Sequence, residues 1–189
     1  MVTIRQERAA DAAAREALLD IAYGPSRFAK ASQRLRDGRL AAEGLSLVAL
    51  EQGRIVGTVR LWPIAAGPLR PALLLGPLAV APDCRNRGIG TALMQRALRS
   101  ARTAGHRAVL LVGDAPYYGR FGFSAEKTGA LSMPGRYERD RLLGIELVPG
   151  ALDGVSGTIG ASARRNPVSK PAPLVSATSR RKGLVSRAA

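Results

Sequence analysis

The sequence predicts a mixed α/β (α+β) fold, with a central twisted mixed sheet of about six or seven strands flanked by helices. Three observations carry this. β-type apolar runs recur near 2–5, 46–64, 72–81 and 108–112. Helical periodicity fills two intervals, 9–23 and 89–104, with apolar residues returning every three or four positions. The segment from Ala72 to Val112 reads strand, glycine-bearing turn, helix, strand, which is the parallel crossover that right-handed connection rules permit.

Taken in order, "VTIR" at 2 to 5 alternates and reads as a first strand. Ala13, Ala17, Leu18 and Ile21 then recur at helical spacing up to Tyr23, where Gly24 and Pro25 stop the helix. Ser26 caps a second helical piece to about Arg36, ended by Asp37 and Gly38. In "LSLVALEQGRIVGTVRLWPI" two β-rich runs flank Glu51, Gln52 and Gly53, a hairpin signal. "RPALLLGPLAV" is nearly continuous in apolar residues, the mark of a strand covered on both faces. Ile89, Leu93, Ala97, Ala101 and Ala104 form one stripe of the next helix, which Gly105 caps. "AVLLV" at 108 to 112 is a buried strand, and further strands are expected at Ala130 to Met133 and Leu142 to Val148.

The length of 189 residues suits one domain, expected over 1–158. From Gly150 on, Gly, Ser, Ala, Pro and basic residues dominate without periodicity, so 159–189 is expected to be a basic, flexible tail. Of the net charge of +15, residues 163 to 189 hold +7 and leave +8 for the rest. Arginine abundance beside Ala, Gly and Pro fits GC-rich codon usage at least as well as a polyanion partner. The tail also has no aromatic residue for base stacking, which weighs against nucleic acid. "MVTIRQER" lacks the apolar segment of a signal peptide, and the run from Ala72 to Ala81 falls short of the roughly 18 residues a membrane span needs. A cytoplasmic protein with no membrane partner is expected. One cysteine, Cys84, and one histidine, His106, leave no disulfide framework and no metal site in view.

The densest chemical signal is "CRNRGIGTALM" at 84 to 94. A turn between a buried strand and a helix N-terminus gathers unpaired amides at the positive end of a helix dipole, so it suits an anion. The nucleoside-triphosphate loop requires Gly-Lys-Ser/Thr, yet Gly90 is followed by Thr91 and Ala92. The dinucleotide fingerprint requires a third glycine where Leu93 stands. What remains is Arg-x-x-Gly-x-Gly, from Arg85, Gly88 and Gly90.

With that loop after "LLLGPLAV", and with "GDAPYYGRFGF" and "RLLGIELVPGAL" downstream, the sequence resembles the GNAT superfamily of N-acetyltransferases, in particular the predicted N-acetyltransferases of the YhbS type. The resemblance spans roughly residues 2 to 155. It implies the acyl-CoA N-acyltransferase fold, acetyl-CoA as donor cosubstrate without a metal, and transfer of the acetyl group to a primary amine of a small molecule or peptide. It further implies that the stretch Arg85, Asn86, Arg87, Gly88, Ile89, Gly90 and Thr91 takes the pyrophosphate. The backbone of Leu78, Ala79 and Val80 then pairs with pantetheine like an added strand. Pro77 has no N–H, so the amide of Leu78 or Val80 is the one expected to polarise the thioester carbonyl. Tyr118 stands where relatives place a phenol on the coenzyme sulfur, and a phenol is a neutral donor at pH 7. The fold also implies an acceptor pocket built by the first two helices and the last strands.

Other residues are weighed by chemistry. Tyr117 is expected to pack, and Phe121 to Phe123 to serve core and turn. Asp114 reads equally as a water-holding group or a helix cap, Glu126 as a surface acid, and His106 as a residue beyond a helix C-terminus, away from the site. Cys84 is expected to be an accessible thiol beside the loop, without a neighbouring base. No carboxylate lies in "ALLLGPLAV", so no general base is assigned, and oligomeric state is unassigned. Two alternatives stand beside acetyl transfer: a coenzyme-binding sensor without turnover, and a nucleic-acid-binding protein using the basic tail.

Overall fold

The computed structural model describes residues 1–68 and 70–167. Its strands are β1 (Val2–Gln6), β2 (Ser46–Glu51), β3 (Arg54–Ala66), β4 (Arg70–Val80), β5 (Ala108–Val112), β6 (Leu131–Ser132), β7 (Leu142–Glu146), β8 (Gly157–Thr158) and β9 (Gly160–Ala161). The helices are α1 (Ala12–Tyr23), α2 (Ala31–Arg34), α3 (Ile89–Thr103) and α4 (Ala115–Gly119). The main sheet runs β1-β2-β3-β4-β5-β7, with β9 also paired to β3. All its pairs are antiparallel except β4 with β5, which α3 connects as the crossover expected from the sequence.

The hairpin between β2 and β3 turns at Gln52 (φ 50) and Gly53 (φ 79), the paired positive φ of a tight two-residue loop. β4 and β5 explain why their apolar runs are unbroken. Leu73, Leu75, Val109 and Leu111 face the side covered by α1 and α3, whereas Ala72, Leu74, Ala108 and Leu110 face a second cluster with Leu131, Leu142 and Ile159. Alternation by two thus feeds two cores from one strand. On the first side, Ile89, Leu93, Ala97 and Ala101 of α3 are buried as the periodicity requires, while Ala104 is exposed.

Several expectations are corrected. In α1 the buried residues are Arg15, Leu18 and Leu19, and Ile21 is 67% exposed. Arg15 takes the inner face because its guanidinium pairs with Glu7 and Glu16. The helical piece after Pro25 is broken: a 3-10 turn at Pro25–Ala29 and α2 are separated by extended backbone at Lys30. Ser26 lies inside that turn instead of capping it, its hydroxyl donating to Tyr23 O at 3.2 Å. The strand expected at 130–133 is the short β6, which pairs in parallel with β8 outside the main sheet.

Residues 159–166 stay on the fold. β9 pairs with Ile64 and Ala65, Ile159 and Ala163 are buried, and Leu40 N donates to Arg164 O at 2.9 Å. This backbone fills the edge of β3 that β2 vacates beyond Arg60. The rest of the expected tail, 168–189, lies outside the described residues. Among the described residues, no helix is long and apolar enough to cross a membrane, and no cluster of His, Cys, Asp or Glu could hold a metal ion.

Candidate active site

β4 hands the chain to a 3-10 turn at Pro82–Cys84, followed by Asn86 at φ 62 and Gly88 at φ 75. Gly88 precedes α3 in the left-handed conformation and accepts the bond from Ala92 N at 2.9 Å. A Cβ there would meet nothing within 4 Å, so the backbone angle, and not crowding, calls for glycine. Gly90 has the opposite reason: a Cβ would stand 2.8 Å from the Tyr117 hydroxyl. The first-turn amides of α3 have no partners within their own helix. They border a cleft of about 490 Å³ lined by Val80, Cys84, Arg85, Asn86, Gly88, Ile89, Gly90, Thr91, Tyr117 and Arg120.

Arg87, between two of these residues, points elsewhere. Its guanidinium grips Glu51 with bonds of 2.9 and 2.6 Å, which holds the Glu51 carboxyl below the usual carboxylate range and raises Arg87. Cys84 is 1% exposed, under Arg54, Arg87 and Glu51, so the accessible thiol expected from the sequence is instead a buried one.

A second cleft of about 420 Å³ opens where β4 and β5 part. Their ladder ends at Leu74 with Leu110, and beyond it Leu75, Gly76, Pro77 and Leu78 stand across the cleft from Val112, Gly113 and Asp114. Ala81 N donates to Val56 O of β3 at 2.9 Å. By alternation Ala79 also turns its polar groups to β3, and Leu78 and Val80 present theirs to the open edge. Tyr23 confirms the direction, its hydroxyl donating to Leu78 O. Of the expected strand of three, Leu78 and Val80 therefore line the clefts, while Ala79 is buried against the sheet.

Tyr118 is positioned by α4. Asp114 caps that helix, its carboxylate accepting from Tyr117 N at 3.3 Å. The Tyr118 ring packs edge-on to Tyr117 (centroids 4.9 Å) and Phe123 (6.0 Å). Gly113 makes room for it, since a Cβ there would fall 2.2 Å from the Tyr118 ring. Burial, with Tyr23 and Tyr117 adding, pushes the Tyr118 hydroxyl well above its ordinary value, which favours the protonated phenol. Tyr117 does more than pack, because it borders both clefts.

The second cleft is walled by Tyr23, Arg27, Lys30, Ser32 and Arg36 from the α1–α2 region and by Arg141 just before β7. Glu126 and His106 border neither cleft. His106 follows α3, where burial holds its imidazole below the ordinary value. Sequence reasoning missed Tyr23, Arg36 and Gly113. Only Gly113 carried a local signal, a glycine directly between a buried strand and the aromatic pair.

The sequence profile of the Acetyltransferase (GNAT) family matches residues 13–123. The uncharacterized N-acetyltransferase YhbS of Escherichia coli K12 is 32% identical over 161 residues, covering 82% of this chain and 93% of that protein. The uncharacterized N-acetyltransferase YjhQ of the same strain is 34% identical over 106 residues, where the chain spans 58% of that protein and the match 54% of this chain. The crystal structure of E. coli YhbS, in complex with CoA, superposes with a TM-score of 0.72 at 31% identity over 85% of this chain and 89% of that one. A GNAT acetyltransferase from Brucella melitensis, in complex with acetyl-CoA, gives 0.65 at 30% identity over 85% and 95%. The glycine loop at the start of α3, the parted strands and the profile all fall on the same residues, and the chain belongs to the acetyltransferase (GNAT) family.

Proposed function

We propose that this chain transfers an acetyl group from acetyl-CoA to a primary amine, with the pyrophosphate at the loop from Arg85 to Thr91 and the chemistry in the cleft between β4 and β5. The carrying observation is that the two clefts adjoin at Tyr117. Together they offer an elongated ligand first the amides of α3, then the open edge of β4, then Tyr118.

The residues fit such a ligand. Gly88 keeps the space before α3 clear of any side chain, and Asn86, Arg85 and the first-turn amides supply donors for phosphate oxygens. Arg87 contributes through its backbone, with its side chain committed to Glu51. Leu78 and Val80 offer backbone groups of a strand edge with no strand beside it, the Leu78 carbonyl already accepting from Tyr23, and this edge is the basis for strand-like pairing with an amide-bearing arm.

Acetyl-CoA supplies the acetyl group as a thioester, so that the C–N bond forms as the C–S bond breaks. The N–H of Leu78 or Val80 donates to the carbonyl oxygen on which charge gathers. Tyr118 gives its proton to the leaving sulfur, and the surplus proton of the amine passes to water, which restores the phenol. Asp114, the one carboxylate lining the cleft, accepts from Tyr117 N through Oδ2 as the cap of α4.

Thiol release from acetyl-CoA in the presence of a panel of amines tests this. Wild-type protein is expected to turn over at least one amine. Tyr118→Phe is expected to lower kcat by about 10²-fold or more while leaving coenzyme affinity within about twofold. Normal turnover in that variant would return Tyr118 to packing.

A further inference from the structure

Four cations face the cleft between β4 and β5: Arg27, Lys30, Arg36 and Arg141, with Asp114 the one carboxylate lining it. Two of them are already matched. Arg27 reaches Glu16 at 2.6 Å and Asp20 at 2.9 Å, and Arg141, half exposed, has Glu138 at 3.5 Å. Among the described residues, neither Lys30 nor Arg36 has a carboxylate within ion-pair distance. Lys30 instead rests on the Tyr23 ring, 4.6 Å from its centroid.

Arg36 is the unusual one. It is 8% exposed, its Nε has no hydrogen-bond partner, and its Nη2 finds only the Ser32 hydroxyl at 3.4 Å. A buried guanidinium without an anion is unstable by itself, because the desolvation of the charge is not offset. Burial pushes its pKa down to about 10 against the opposing pull of Asp37. A planar fork of this kind matches a carboxylate or a phosphate through two parallel hydrogen bonds.

From Arg36, which lines this cleft without a carboxylate partner, and from Lys30 in the same cleft, we infer that the acceptor is an anionic amine, whose carboxylate or phosphate binds Arg36 while its amino group faces Leu78 and Tyr118. This rests on the acetyl-transfer reading above. Lys30, itself an amine in this cleft, is held below its ordinary value by burial and by Arg141 and Arg36.

The test measures thiol release by the full-length protein with acetyl-CoA and matched acceptors. Common amino acids are paired with their amides, O-phosphoethanolamine with ethanolamine, and spermidine serves as a cationic acceptor. An anionic member is expected to exceed its neutral partner by about tenfold or more in kcat/KM, and the pair that does so tells carboxylate from phosphate. Arg36→Gln is expected to raise KM for that acceptor and bring the ratio to near parity, with acetyl-CoA affinity held within about twofold. Arg36→Lys, which keeps the charge, and Arg141→Gln, at the exposed rim, keep the test valid should the buried glutamine fail to fold. The lysine is expected to retain part of the preference, and the rim variant to weaken it. Equal or better turnover of neutral or cationic acceptors overturns the inference, as does a preference unchanged by these variants. So does the absence of turnover together with no anionic amine raising the melting temperature of the coenzyme-bound protein. Failure of acetyl-CoA itself to bind would instead overturn the acetyl-transfer reading.

Discussion

Adding one carbon at Gly113 strikes the ring of Tyr118 directly. A Cβ built there falls 2.2 Å from Cε2 and 2.7 Å from Cδ2 of that ring, and 3.0 Å from Leu111 Cδ1. Carbon atoms in contact rest at about 3.5–4.0 Å, so the overlap exceeds about 1 Å and something must move. The ring has little room, because Tyr117 stands edge-on at 4.9 Å and Phe123 at 6.0 Å, and Leu111 is buried in the strand below. Gly113→Ala should therefore destabilise by about 1–3 kcal/mol, as overpacking does, and displace the phenol by a distance that costs about 10²-fold in rate. Urea melts report the first quantity and thiol release the second, with acetyl-CoA affinity by calorimetry as the control, since Gly113 does not border the cleft at α3. A double-mutant cycle isolates the contact: in a Tyr118→Ala background the ring is gone, and Gly113→Ala should then cost less than about 0.5 kcal/mol. Full stability and full turnover in the single variant, or an undiminished cost in the double one, would refute the placement of Tyr118.

Leu93 is fully buried in the core between α3 and the sheet, so Leu93→Ala should lower the stability measured in urea by about 2–5 kcal/mol; a loss under about 1 kcal/mol would show that α3 is not docked as described. The pH profile of turnover offers a separate check. Burial raises the Tyr118 hydroxyl above its ordinary value of about 10, favouring the protonated form, so the rate should lose no proton donor between neutral pH and about pH 10. A fall in kcat below that limit which Tyr118→Phe abolishes would contradict the assignment.

The parts legible in the sequence are those whose cause is local. The hairpin at Gln52 and Gly53, the two-faced run of β4 and the loop before α3 each need only neighbours within a few residues, and each stands where expected. α1 shows where this stops. Its alanines allow more than one apolar stripe, and the choice was made by Arg15 finding Glu7, a residue of the chain before the helix. Cys84 was misjudged for a related reason: Arg54 and Arg87 cover it from a strand and a loop whose meeting no spacing reveals. β9 follows a Gly- and Ser-rich composition that reads as a tail, yet it satisfies backbone groups of β3 left open by a short neighbour. The site divides the same way. The half at α3 is one contiguous motif, whereas the cleft proposed for the acceptor joins residues near 23–36, 75–78, 112–118 and 141, which only the topology brings together.

Calorimetric titration of acetyl-CoA into wild-type protein and Gly88→Asp bears most directly on the assignment of the loop. Gly88 holds φ at 75, which aspartate adopts only with strain, and its added charge would stand at the mouth of α3 where an anion is to bind. Wild-type protein is expected to bind and the variant, folded by circular dichroism, to lose about tenfold or more in affinity. Equal affinity in the two proteins would contradict the claim that this turn holds the coenzyme.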